Sequence, residues 1–292
     1  MDDDRRVCAV SGGDMAFRDV GDPEAPPVVL LHGYPTSSFL WRSFVRSFAA
    51  EMRVIAPDLL GAGDSAKPAA AALDPEAQAR YVRELLGEIG VARYAVVGHG
   101  DGGTSAQLLA LDGDAAAVVL IDSSGAGASA AAAIERLVGA SAADPAAYVG
   151  QALRRGSARP ERISGDVAAA YARPFDGRGG ADALARWTSA AARYPSRLDE
   201  RLTDVDVPTF LLWGEDDPFV PTEVADRLNE SIATSSLALL PGCGHFLPEE
   251  AAPTIVPLVA QWLAGRYLGR THVHAPGPVP LRLDPRRPEA DG

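Results

Sequence analysis

Four glycine-flanked segments hold the residues whose types could do chemistry. His245 lies in Gly242-Cys243-Gly244-His245-Phe246, and Asp217 in Trp213-Gly214-Glu215-Asp216-Asp217-Pro218. Asp101 lies in Gly98-His99-Gly100-Asp101-Gly102-Gly103, and His32 and Tyr34 lie in His32-Gly33-Tyr34-Pro35. Imidazole changes charge near neutral pH, and carboxylates pair with it. Together they are the usual currency of general acid–base catalysis. Cys243 stands beside His245 with no base assigned to it and reads as a small buried residue.

Each segment directly follows a short apolar run. Val28–Leu31 ends at His32, Tyr94–Val97 at Gly98, Thr209–Trp213 at Gly214, and Leu237–Leu240 at Pro241. Two further runs, Arg53–Ala56 and Ala117–Ile121, end at Pro57-Asp58 and Asp122. Such runs, too short for helices and separated by helical patterns, argue for a mostly parallel sheet flanked by helices. The spacing predicts a helix over 75–89, with Asp74 as N-cap and Pro75 in the first position. Further helices are expected over 101–111 and 249–264.

Residues 124–205 break this rhythm. They are rich in alanine and arginine, helical in propensity and without clear strands, and are read as an inserted helical cap. The expected organisation is therefore a core of 1–123 and 206–265, a cap of 124–205, and a proline-rich extended tail of 266–292. His272 and His274 in that tail are read as incidental rather than metal ligands.

Length and composition exclude several functions. The chain has 292 residues, 47% of them hydrophobic, which is enough for one large globular core. Its net charge of −12 repels phosphate, so neither nucleic acid nor an anionic membrane is an expected partner. Two cysteines, Cys8 and Cys243, form no disulfide framework or metal spacing. With no apolar stretch after the charged start Met1-Asp2-Asp3-Asp4-Arg5-Arg6, a cytoplasmic protein is expected. Lys67 is the single lysine, a bias that fits a GC-rich bacterial genome.

The four segments, with Asp58-Leu59-Leu60-Gly61-Ala62-Gly63-Asp64-Ser65 between the first and second, resemble the α/β-hydrolase superfamily, in particular its epoxide hydrolase and haloalkane dehalogenase branch. The resemblance runs from about Phe17 to Leu263. It implies an α/β-hydrolase fold with an eight-stranded, mostly parallel sheet and a helical cap. It also implies roles: His245 as base, Asp217 orienting its imidazole, and the backbone N–H groups of Tyr34 and Asp101 as an oxyanion hole. Trp41, Trp187 and His32 are candidates to line the substrate site with Tyr34. Tyr148, Tyr171 and Tyr194 are further candidates for the roof, and cap arginines could attract an acidic substrate, although a solvated helix face explains most of them. Asp122 is read as structural.

One position departs from the family. The elbow has the form Gly-x-nucleophile-x-Gly, and Gly98 and Gly102 set its register, so the middle residue is Gly100. Relatives carry aspartate or serine there. Glycine cannot form a covalent intermediate, and room is expected above it. The halide-binding asparagine and tryptophan of dehalogenases are also replaced, by Tyr34 and Asp101, which excludes that activity. Asp101 itself has three readings: a displaced nucleophile, a pocket carboxylate working with His245, or a first-turn aspartate complementing the helix dipole.

Three functions follow as expectations. The first is an enzyme without a covalent nucleophile, in which His245 and the oxyanion hole act on a reactive, apolar or aromatic small molecule. Cyclisation, rearrangement or C–C bond formation in bacterial natural-product biosynthesis would suit it. The second is an epoxide or lactone hydrolase using activated water or Asp101. The third is a small-molecule-binding pseudoenzyme. With no dinucleotide fingerprint, phosphate loop or metal cluster, cofactor-free chemistry is expected.

Overall fold

The computed structural model describes residues 5–139, 144–177, 179–193, 196–270 and 281–282. The chain opens with an antiparallel pair, β1 (Arg5–Val10) and β2 (Gly13–Val20). Neither was expected from the sequence. Along β1 only Cys8 is buried, so the strand lacks the two-residue alternation that reveals one.

Six strands then run parallel to one another: β3 (Pro27–Leu31), β4 (Arg53–Pro57), β5 (Tyr94–His99), β6 (Ala115–Ile121), β7 (Thr209–Gly214) and β8 (Ser235–Leu240). With β1 and β2 they make the eight strands of an α/β-hydrolase fold. A two-residue ninth, β9 (Leu281–Arg282), adds to the edge beside β8, giving the order β1-β2-β4-β3-β5-β6-β7-β8-β9. Of the expected tail 266–292, Arg266 closes the last helix and 267–270 follow it; residues 271–280 and 283–292, with His272 and His274, lie outside the described residues. Every residue of β5 and β7 is buried. Helices cover both faces of the sheet, which is why these strands read as unbroken apolar runs.

The helices are α1 (Arg42–Phe48), α2 (Pro75–Glu88), α3 (Asp101–Leu111), α4 (Ala130–Val138), α5 (Pro145–Gly156), α6 (Gly165–Ala172), α7 (Gly180–Ala191), α8 (Thr222–Ser231), α9 (Leu247–Glu250) and α10 (Ala252–Arg266). Asp74 caps α2 through the Ala77 N–H at 3.0 Å, with Pro75 just inside. The helix expected over 249–264 begins earlier and is broken at Ala251 into α9 and α10. Pro253 lacks the N–H that would carry one helix through the junction.

Helices α4 to α7 lie between β6 and β7. Their sequence is monotonous, and three of the four start at side-chain caps: Ser129 accepts from Ala132, Asp144 from Ala147 and Ser164 from Val167, while α7 starts after Gly179 without one. The loops that leave the carboxyl ends of β3, β5, β7 and β8 carry the four chemistry-bearing segments to one edge of the sheet. In open parallel sheets that edge is where ligands bind.

Candidate active site

Strand β5 ends at His99 and helix α3 begins at Asp101, so Gly100 alone turns the chain, at φ 54° and ψ −126°. Ordinary residues avoid such a φ, and glycine does not. The neighbouring glycines answer to contact rather than torsion. A Cβ on Gly102 would lie 2.4 Å from the His32 carbonyl oxygen, and one on Gly33 would lie 2.6 Å from that of His99. These approaches lock the loop after β3 against the elbow. Gly102→Ala should therefore cost on the order of 1–3 kcal/mol, because backbone rather than a side chain must move. Urea unfolding measures it, and an unchanged midpoint would contradict the packing.

Gly100 is different. A Cβ there would meet His245 Nε2 at 3.4 Å, the Gly33 Cα at 3.6 Å and His245 Cε1 at 3.8 Å, all ordinary contacts. A side chain here would therefore stand directly against the imidazole, Nε2 first.

His245 follows β8, and Asp217 follows β7. His245 Nδ1–H donates to Asp217 Oδ2 at 2.8 Å, with both side chains fully buried. Asp217 Oδ1 accepts from the N–H groups of Phe219 at 2.8 Å and Val220 at 3.0 Å, which fixes the carboxylate. The Nδ1 proton leaves Nε2 with its lone pair, and Nε2 is buried with no hydrogen-bond partner in the protein. The His245 backbone N–H donates to the carbonyl of Gly156, the last residue of α5, at 2.7 Å. Helix α5 thus helps hold the imidazole.

Asp101 is buried at the first position of α3. Its Oδ1 accepts from Ser124 Oγ at 2.7 Å and from Ser129 Oγ at 3.4 Å, while Oδ2 has no partner. Burial pushes its carboxyl up to about 6, against the lowering effects of the Ser124 hydrogen bond and of His245. A pure helix-dipole aspartate would be exposed and readily ionised. Asp101 instead stays half-protonated near pH 6, in reach of acid and base roles. It lies outside the apex of the turn, and two residues before it, where the elbow pattern around a nucleophile wants a glycine, stands His99.

His99, not considered a site residue from the sequence, packs its ring 4.9 Å from that of His245. Its Nε2–H donates to the His245 carbonyl at 2.8 Å. Burial and the neighbouring His245 push the imidazole well below its usual range, so it stays neutral. Its position beside the elbow glycine was the available signal. Asp122, in a positive-φ conformation after β6, accepts from the N–H groups of Gly214 at 2.8 Å and Leu247 at 3.4 Å. It ties together the two loops that carry Asp217 and His245. Burial and the Asp217 charge push its carboxyl well above the usual range.

Tyr34, His32 and Trp187 meet beside the elbow. Tyr34 and Trp187 pack edge to face at 4.9 Å, and Trp187 packs on His32 at 5.9 Å. The Thr188 hydroxyl of α7 donates to the Tyr34 hydroxyl. His32 is committed to structure: its Nε2 accepts from the Leu59 N–H at 2.9 Å, which leaves the proton on Nδ1 near the Gly33 carbonyl. Tyr148 lies 6.3 Å from Tyr34. Trp41 does not join them. It packs at 5.1 Å on Phe44 at the start of α1, because its place on the turn before that helix aims it into the core. Tyr171 donates to Glu249 instead of facing the site, and Tyr194 lies outside the described residues. Two of the cap arginines are spent on carbonyls, Arg162 on Glu250 and Arg186 on Pro68.

Beside the elbow, a cavity bounded by Asp101, Gly102, Tyr34, His32, Trp187 and Leu73, and lined by neither Gly100 nor His245, measures about 10 Å³, enough for about one water. Phe219 and Phe246 pack against the His245 ring at 5.3 and 5.0 Å.

Residues 28–256 match the alpha/beta hydrolase family, and the chain belongs to it. It is 27% identical over 266 residues to haloalkane dehalogenase 2 of Mycobacterium bovis, covering 86% of this chain and 92% of that protein. A segment of 86 residues is 44% identical to the soluble epoxide hydrolase of Corynebacterium sp. strain C12, spanning 30% of each chain. Among solved structures, the ligand-free epoxide hydrolase CorEH superposes with a TM-score of 0.73 at 26% identity, covering 89% of this chain and 98% of that one. The homologues of this chain thus include epoxide hydrolases, haloalkane dehalogenases and C–C hydrolases.

Proposed function

We propose that this chain is a cofactor-free enzyme that uses the α/β-hydrolase fold without a covalent nucleophile. His245, oriented by Asp217, takes a proton from a reactive small molecule. The N–H groups of Tyr34 and Asp101 steady the oxyanion that forms, an enolate, phenolate or alkoxide. Asp101, with its unpartnered Oδ2 and a carboxyl near 6, returns a proton. The observation that carries the reading is the aim of His245 Nε2: buried, unpartnered, and 3.4 Å from the place where Gly100 has no side chain. Cyclisation, rearrangement or C–C bond formation in bacterial natural-product biosynthesis needs this equipment and no acyl-enzyme.

The one-water cavity beside Asp101 favours a second reading, in which water activated by His245 or Asp101 opens an epoxide or lactone. The epoxide hydrolase relatives support that substrate class. A panel of epoxides, lactones and p-nitrophenyl esters should reveal turnover that His245→Ala lowers by ~10²–10⁴-fold. Undiminished turnover in the alanine variant would sink the first reading and leave the second only with Asp101 as the activating group. In heavy-oxygen water, label in the product with none in protein carboxylates supports direct water attack. Label appearing in Asp101 would instead make it a displaced nucleophile. Ligand-induced stabilisation with no turnover across the panel would leave a binding protein.

A further inference from the structure

Three features converge on the space over Gly100. The first is the N-terminus of α3, an eleven-residue helix whose first N–H, that of Asp101, points to this turn. The second is the buried, unpartnered Nε2 of His245, which becomes a donor once it holds a proton. The third is Gly100 itself, which sets no side chain between its Cα and the imidazole; a Cβ there would lie 3.4 Å from His245 Nε2. Helix end, imidazolium and bare glycine together favour a negatively charged oxygen. The protein supplies no side chain to occupy it.

We infer that the substrate brings its own carboxylate to this position: it is an apolar carboxylic acid that also carries an electrophile, and its carboxylate stands where the elbow has no side chain. The inference rests on the nucleophile-free reading above and names its substrate class. The relatives point to epoxides as the electrophile, so the substrate is an epoxy acid. The acid proton passes to His245 Nε2. A carboxylate oxygen then attacks one epoxide carbon, forming a C–O bond as the epoxide C–O bond breaks. The alkoxide takes the proton back from His245. The product is a hydroxy lactone, an isomer of the substrate, formed with no water consumed and no change of oxidation state.

The surrounding charges permit it. Asp217 spends its charge on His245 Nδ1. Asp101 is already half-neutral near pH 6 and takes up a proton beside an anion rather than repelling it. Tyr34 is held neutral by burial. The closed cavity requires the helices between β6 and β7 to part from the core for entry, and Trp187 and Thr188 of α7 are the contacts to break.

Acetate and its neutral isostere acetamide are the first probes, on the unmodified protein. Acetate should raise the melting temperature and move the His245 imidazole resonances, and acetamide should bind about 10- to 100-fold more weakly. Equal binding of the two would overturn the inference. Gly100→Ala, which sets a methyl group against the imidazole and changes no charge, should weaken acetate about tenfold. Unweakened binding in a variant that melts like the parent would also overturn it. In turnover, a γ,δ-epoxy acid should be favoured over its methyl ester and give a lactone without label from heavy-oxygen water. An ester turned over equally well, still dependent on His245, would overturn the carboxylate while leaving the base. Turnover that survives His245→Ala would remove the base reading, and the acetate contrast would then stand or fall by itself.

Discussion

Gly100→Ser is expected to turn an inert position into one that reacts covalently with a fluorophosphonate. A Cβ at residue 100 would sit 3.4 Å from His245 Nε2, so a hydroxyl one bond further out can come within hydrogen-bonding reach of the imidazole. Asp217 already holds the other ring nitrogen at 2.8 Å. The base, its orienting carboxylate and the N–H of Asp101 are all in place, so serine completes a triad rather than starting one. Loss of the nucleophile from a triad hydrolase costs ~10⁶ in turnover, which sets the ceiling of what serine could restore. Strain at φ 54° and ψ −126° takes roughly 1–3 kcal/mol of stability in exchange. Mass spectrometry should find the unmodified protein unlabelled and the variant labelled at residue 100, with a burst of p-nitrophenol from p-nitrophenyl acetate. A folded variant that resists the reagent would show that the imidazole does not address this position.

Asp101→Asn is expected to stabilise the protein in alkaline buffer and to impair it as a catalyst. The folded-state carboxyl stands at about 6 against an ordinary 3.8, because burial opposes its charge. A raised carboxyl binds its proton more tightly in the folded state. Its stabilising contribution is complete below about pH 3.8 and is lost as pH rises through about 6. Above that the folded chain carries a penalty of roughly 3 kcal/mol, from about two pH units at 1.36 kcal/mol each. Asparagine keeps an oxygen for Ser124 and has no charge to bury. Urea unfolding at pH 8 should therefore favour the variant by up to about this amount, and the gain should vanish near pH 4. A pH-independent difference would exclude Asp101 as its source. If Asp101 is the acid, turnover falls by ~10²–10⁴-fold. A stabilised variant with full activity would reduce it to a packing residue.

The chemistry-bearing loops were legible because each follows a buried strand, and buried parallel strands write themselves as short apolar runs. Asp74 and Pro75 likewise announce the start of α2, since capping is local. What was not legible depends on partners far along the chain. Strand β1 has one buried residue in six and looks like a charged tail until β2 pairs with it. Asp101 could be a dipole aspartate or a pocket acid on sequence grounds. Ser124 and Ser129, more than twenty residues away, hold one oxygen and leave the other free. His99 shows no motif of its own, and its role comes from a carbonyl 146 residues away. Trp41 looked available because aromatic residues near a site loop often line it, but the turn before α1 sends it into the core.

The order of motifs by itself determined the fold and Gly100 as the residue at the turn, and the resemblance to the family singled out His245 and Asp217 as the expected base and its carboxylate. Fold and turn follow from strand period and glycine spacing, which are properties of neighbouring residues. Only the tertiary structure decided that Nε2 of His245 is unpartnered and close to Gly100, that Asp101 is buried enough to keep its proton near pH 6, and that the cavity beside Asp101 and Tyr34 holds about one water. Burial, aim and cavity size are sums over side chains brought together from the whole chain, and no local pattern encodes such a sum.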